Sequence, residues 1–251
     1  EAYMDELRAR GMEEELIQRE YYCSWTGGIL GAYFVKLLEQ AEKDGRITRV
    51  PWETSLPVST AWDLGVGDST ALWFFQQLGR EIRFIDYFEA SGEGLPYYKK
   101  VLADLPYAYG DFIAPHDIEV TELGTGKTRK ESAEALGIRP IRVVPKTTKD
   151  DQIDAARRIL PRCYFDSAKC QRGLVALRNY RKEWDEKRQC FKRTPYHDWA
   201  SDAADAFQTF AMGFREKTRR VIGTQAESSF DIWGYERAPR GHVERDFEVF
   251  T

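Results

Sequence analysis

Three short stretches place aspartate where burial is expected. In AWDLGVGDSTALWFF (residues 61–75), Asp63 sits between Trp62 and Leu64, in a run that soon returns to Leu72, Trp73, Phe74 and Phe75. A carboxylate among apolar side chains is costly unless something neutralises it, and a divalent cation does so most effectively. Asp68 lies in the turn sequence GDS, where it is either a further ligand or an ordinary turn aspartate. Asp117 follows an apolar segment in IAPHD, at the carboxyl end of an expected strand, where open α/β sheets gather their ligands. In YHDWASDAADAFQTF (196–210), Asp202 and Asp205 are three apart and share a helix face. The positive N-terminus of a helix accounts for Asp198 and Asp202. Asp205 falls among Ala203, Ala204, Ala206 and Phe207, inside a run that should face the core, and needs a partner. Oxygen-only donors of this kind suit Mg²⁺ or Mn²⁺. Two such ions about 4 Å apart activate water and stabilise the leaving oxygen of a phosphodiester.

These residues need elements to hold them. STAWDLGV, TALWFFQQL and EIRFIDYFE are three apolar or alternating runs separated by tight turns, which predicts an antiparallel meander. A helix opening at Pro96-Tyr97-Tyr98 and reaching Leu105 follows, then a strand around 111–114, a helix over 130–136 and a short strand over 141–144. Thr148 is the expected N-cap of KDDQIDAARRIL. A short strand over 162–165, a long helix over 167–182 and a final helix from about 200 to 219 complete the pattern. The last of these has Ala203, Ala206, Phe207, Phe210 and Phe214 as its apolar face. Three antiparallel strands followed by alternating helices and strands is the order of a ribonuclease H-like α/β fold, a mixed sheet with parallel strands added and helices on both faces.

Ahead of this pattern, residues 1–50 read as a helical segment and linker, with helices expected over 6–20 and 29–41 and a Pro-bounded connection at 51–57. Residues 51–219 form the expected domain. Residues 220–251 are a Gly-, Pro- and charge-rich tail, expected to be partly disordered. The chain opens on Glu1, which leads to the expectation of a piece of something longer. Of its 251 residues 42% are hydrophobic and 14% aromatic, enough to build a substantial core. No apolar run approaches the roughly 20 residues that cross a bilayer. Cys23, Cys163, Cys170 and Cys190 lack CxxC spacing and read as reduced thiols of a cytosolic protein. The net charge of −4 hides an asymmetry: residues 127–193 hold 19 Lys and Arg against 9 Asp and Glu. A positive middle can face phosphate, although each charge also has an ordinary reading as solvated surface.

WDLGVGDSTALWF, then APHD, then SDAADAF on a terminal helix, together resemble the nuclease domain of the large terminase subunit of tailed bacteriophages. RCYFD followed by CQRGLVALRNYRKEW is similar to that family, as is EYYCSWTGGILGAYF ahead of the domain. The resemblance runs from about Arg19 to Phe214. It implies an endonuclease that cuts double-stranded viral DNA concatemers, with Asp63, Asp117 and Asp205 as catalytic ligands of two Mg²⁺ or Mn²⁺ ions. Many relatives read SHxADA where this chain has Ser201-Asp202, so Asp202 is a ligand or only a local charge. Lys127, Arg129 and Lys130, in the Gly-rich segment ELGTGKTRK, and Lys146 are the expected DNA contacts. The implied partners are an ATPase domain of the same full-length protein, the portal protein and the small terminase subunit, in the host cytoplasm and with no membrane. The chain contains no GxxxxGK[ST] phosphate loop, so ATP hydrolysis by the motor mechanism is not expected here. The rival readings are an actin- or sugar-kinase-like ATPase, a catalytically silent DNA-binding or assembly module of the same fold, and a transposase or resolvase.

Overall fold

The computed structural model describes residues 30–65, 69–122, 124 and 126–216. The expected helix over 6–20, the tail beyond 216 and Asp68 lie outside the described residues.

Helix α1 (Val35–Lys43) is followed by strands β1 (Ile47–Thr48), β2 (Val58–Asp63), β3 (Ser69–Leu78) and β4 (Glu81–Ser91). Helix α2 (Leu95–Asp104), with proline in its first turn, leads to β5 (Tyr109–Ala114) and a 3-10 turn at His116–Glu119. Helix α3 (Arg129–Ala135) opens on a capping box in which Thr128 and Glu131 satisfy each other's backbone N–H. Strand β6 (Ile141–Val143) precedes α4 (Lys149–Ile159), whose N-cap is Thr148 as expected. The remaining elements are β7 (Cys163–Asp166), α5 (Gln171–Asn179), β8 (Lys182–Asp185), β9 (Cys190–Pro195) and α6 (Ser201–Gly213).

The main sheet has seven strands in the order β1-β7-β4-β3-β2-β5-β6. β2, β3 and β4 form the antiparallel meander, while β5 joins β2 and β6 joins β5 in parallel. β7 runs parallel to β4, and β1 to β7. This is the mixed sheet expected from the sequence. Its two faces bury two apolar clusters, one built with residues of α1, α4, α5 and α6 and the other with residues of α2 and α3.

Close approach to the sheet sets the residue types at two helix positions. A Cβ on Gly173 of α5 would lie 2.4 Å from the Trp73 ring, and one on Gly213 of α6 would lie 2.2 Å from Ile113. Only glycine admits the backbone there.

Several expectations change: the helix expected over 29–41 is α1 (Val35–Lys43), and the final helix, expected to reach about 219, ends at Gly213. The long helix over 167–182 is α5 alone. Residues 167–170 form a turn in which the Asp166 carboxylate accepts from the N–H groups of Ala168 and Lys169. Tyr180 ends the helix in extended backbone, and the chain pairs there with residues 31–33 before entering a β8–β9 hairpin that the sequence reading lacks. Residues 51–57 carry little regular structure but are pinned: the Gln76 amide, 1% exposed, accepts from Glu53 N–H and donates to the carbonyls of Glu53 and Leu56. No break in packing marks residue 50, because α1 and β1 belong to the same core and sheet.

Candidate metal centre

Asp63 is the last residue of β2, and Asp117 lies three residues past the end of β5. Because β2 and β5 are parallel neighbours, their carboxyl ends meet at one edge of the sheet. The third segment arrives from α6, which lies across β2 and β3. Trp73 Nε1 donates to the Ala203 carbonyl at 2.9 Å and ties the first turns of this helix to the sheet. The small side chains of Ala203, Ala204 and Ala206 let it sit close, and all three are fully buried. Ahead of it, the Asp198 carboxylate accepts from the Ala200 N–H and pairs with Arg181 at 2.8 Å. Asp198 is therefore a structural turn residue, as its position ahead of the helix implied. Asp202 and Asp205 ride on this docked helix, both half-buried.

The carboxylates act on one another. Burial pushes the Asp63 carboxyl well above its ordinary range, and the charges of Asp205, Asp202 and Asp117 push it further. One cation opposes them, Lys149 at the first position of α4. Its Nζ lies 2.9 Å from Asp205 Oδ1, an oxygen that also accepts from Gln208 Nε2 at 3.2 Å. Asp117 Oδ1 is buried without a hydrogen-bond partner. An orphaned carboxylate oxygen is the donor a hard cation takes. Among the described residues, no three acidic, histidine or cysteine side chains are placed to hold one metal ion together. The arrangement is an open set of oxygen donors with a lysine seated in it. Its chemistry fits Mg²⁺ or Mn²⁺: several hard oxygens, no sulfur or imidazole, and excess negative charge.

The expected basic residues are distributed differently. Arg129 and Lys130 begin α3, with Arg129 Nε 4.0 Å from Glu122 and Lys130 Nζ 3.7 Å from Glu119, two residues beyond Asp117. Lys127 and Lys146 are exposed. The lysine that reaches the acidic cluster is Lys149, which is not among the expected DNA contacts.

The sequence reading also lacks Glu89. The register Asp63↔Ala71↔Glu89 places it on the same sheet face as Asp63, two strands away. The Tyr87 hydroxyl donates to one Glu89 oxygen and Arg172 binds the other, so this carboxylate is satisfied by protein groups. Its signal in the sequence is the acid that closes the run EIRFIDYFE.

No protein-family model matches the chain, and no curated protein matches it in sequence. Comparison with solved structures does find similar chains. The large terminase of the thermophilic bacteriophage D6E, in complex with ADP, superposes with a TM-score of 0.51 at 16% identity, over 70% of this chain and 44% of that one. The fold is ribonuclease H-like. The P22 large terminase nuclease domain gives a TM-score of 0.49 at 14% identity, over 67% of this chain and 87% of that one. The nuclease domain of the large terminase g2p from bacteriophage SPP1, with bound Mn, gives 0.46 at 17% identity, over 61% and 84%. The chain thus matches less than half the length of the D6E protein.

Proposed function

We propose that this ribonuclease H-like unit is the nuclease domain of a large terminase, an endonuclease that cuts double-stranded viral DNA concatemers during genome packaging. One observation carries the reading: Asp117, Asp202 and Asp205, from two further segments of the chain, bear electrostatically on a desolvated Asp63 at the carboxyl ends of parallel strands. The shared fold with the D6E large terminase supports it. Asp63, Asp117 and Asp205 hold two Mg²⁺ or Mn²⁺ ions, and Asp202 contributes charge at the rim. The bound ions supply activation of water and stabilisation of the leaving oxygen.

The protein's own groups do the rest. Asp63 would hold a cation as its carboxylate, because ligands bind deprotonated. The buried oxygen of Asp117 and the α6 position of Asp205 would fix where the cations sit, and the cations would in turn place the scissile phosphate. Water attacks phosphorus in line, the P–O3′ bond breaks, and 3′-hydroxyl and 5′-phosphate ends result. Lys127, Arg129, Lys130 and Lys146 contact the phosphate backbone and confer little sequence preference. In the whole protein the domain works with an ATPase domain of the same chain, the portal and the small subunit, in the host cytoplasm.

Plasmid nicking in Mn²⁺, in Mg²⁺ and in EDTA, with Asp63→Asn beside the wild type, tests the reading. Metal-dependent nicking that the variant loses by at least about a hundredfold supports it. Wild-type protein that never cuts, or cuts equally well in EDTA, overturns it.

A further inference from the structure

The acidic cluster already contains a cation, and its placement is unusual. Lys149 is the first residue of α4, where the helix dipole disfavours positive charge. The next two residues, Asp150 and Asp151, suit that position, and the Asp151 N–H is capped by Thr148 Oγ1. The backbone of α4 is fixed by burial of Ile153 and Ala156 and by Arg157 Nε donating to the Tyr33 carbonyl. What turns the Lys149 side chain inward is therefore the acidic cluster. Its ammonium lies 2.9 Å from Asp205 Oδ1, with the two side chains 38% and 28% exposed. Among the described residues whose charges bear on Asp63, three segments of chain supply three aspartates and this one cation. A lysine on a four-carbon stem with a fixed Cα can leave a carboxylate without any movement of the backbone.

We propose that Lys149 is a resident counter-ion: it holds the Asp205 carboxylate in the metal-free protein, competes with the divalent ion for that oxygen, and releases it when the ion loads. The inference rests on the metal-centre reading above. The competition is modest, because a partly exposed pair is screened by water.

Mn²⁺ titration of the full chain, followed by the electron paramagnetic resonance of free Mn²⁺, tests this with four proteins: wild type, Lys149→Met, Lys149→Arg and Asp63→Asn. Lys149→Met should bind Mn²⁺ about three- to tenfold more tightly than wild type, and Lys149→Arg should bind like wild type. In EDTA at neutral pH, Lys149→Met should melt below wild type, and Mn²⁺ should raise its melting temperature by more. Circular dichroism establishes that each variant is folded. Equal Mn²⁺ affinity in wild type and Lys149→Met, both above the Asp63→Asn background, overturns the role of Lys149 and leaves the metal centre standing. Binding no stronger than that background in every variant overturns both.

Discussion

Asp63 feels three carboxylates and one ammonium, and its titration can be followed apart from catalysis. Its carboxyl is raised by burial first and by Asp205, Asp202 and Asp117 next. The folded, metal-free protein therefore holds this proton more tightly than the unfolded chain, whose aspartates titrate near pH 4. By linkage, the metal-free fold loses stability as pH rises from about 4 through the raised folded value. In EDTA, Asp63→Asn should melt above wild type at pH 7–8, with the difference closing as pH falls toward 4. Thermal denaturation across that range checks the sign, and an Asn variant less stable at pH 8 would contradict it. The aspartates were legible from sequence because a charge inside an apolar run is costly and needs a partner. Lys149 was not. The segment KTTKD offers two lysines three apart, and only the Thr148 cap, which fixes where α4 begins, decides that Lys149 reaches Asp205 while Lys146 stays exposed.

The site's geometry is set by how closely α5 and α6 approach the sheet. Trp73 lies at the centre of this packing, with Nε1 bonded to the Ala203 carbonyl and its ring against Tyr87, Phe84, Phe165 and Phe207. Gly173→Ala would push a methyl group into that ring and the Tyr87 ring. Overpacking of this kind should cost about 1–3 kcal/mol in urea unfolding. Trp73→Phe keeps an aromatic ring but drops the bond to Ala203, which should lower stability by about 1 kcal/mol or more. It should also weaken Mn²⁺ binding, because the carrier of Asp205 loses its tie to the sheet; a variant that loses stability but not metal affinity would break that link. The meander, the Thr148 cap and the buried face of α6 were readable from apolar periodicity and capping residues. The β8–β9 hairpin was not, because LRNYRKEW continues a charged helical pattern. The helix stops at Tyr180 through backbone bonds to residues 31–33, more than 140 positions earlier, which local sequence does not reveal.

At the scale of the molecule, the described residues 30–50 belong to the same core as the elements that carry Asp63 and Asp205. Phe34 stacks on Tyr180 and meets Phe207 edge-on, Leu38 is fully buried, and β1 pairs with β7. A protein beginning at residue 51 would expose that surface, although the composition break near Pro51 suggests a boundary. It should unfold at a clearly lower temperature than one beginning at Leu30, or aggregate; equal melting temperatures would show that α1 and β1 add nothing to the core. The order of the sheet was legible because alternating runs and tight turns constrain a meander strongly. The place of residues 30–50 depended on tertiary contacts that periodicity does not carry. The account as a whole turns on whether Asp63, Asp117 and Asp205 bind metal together. The most direct measurement is an anomalous difference map from crystals grown with Mn²⁺. Peaks are expected within about 2.0–2.3 Å of oxygens from all three residues, with Lys149 Nζ moved off Asp205. Peaks elsewhere, or full Mn²⁺ loading elsewhere with Lys149 still bound to Asp205, would contradict it.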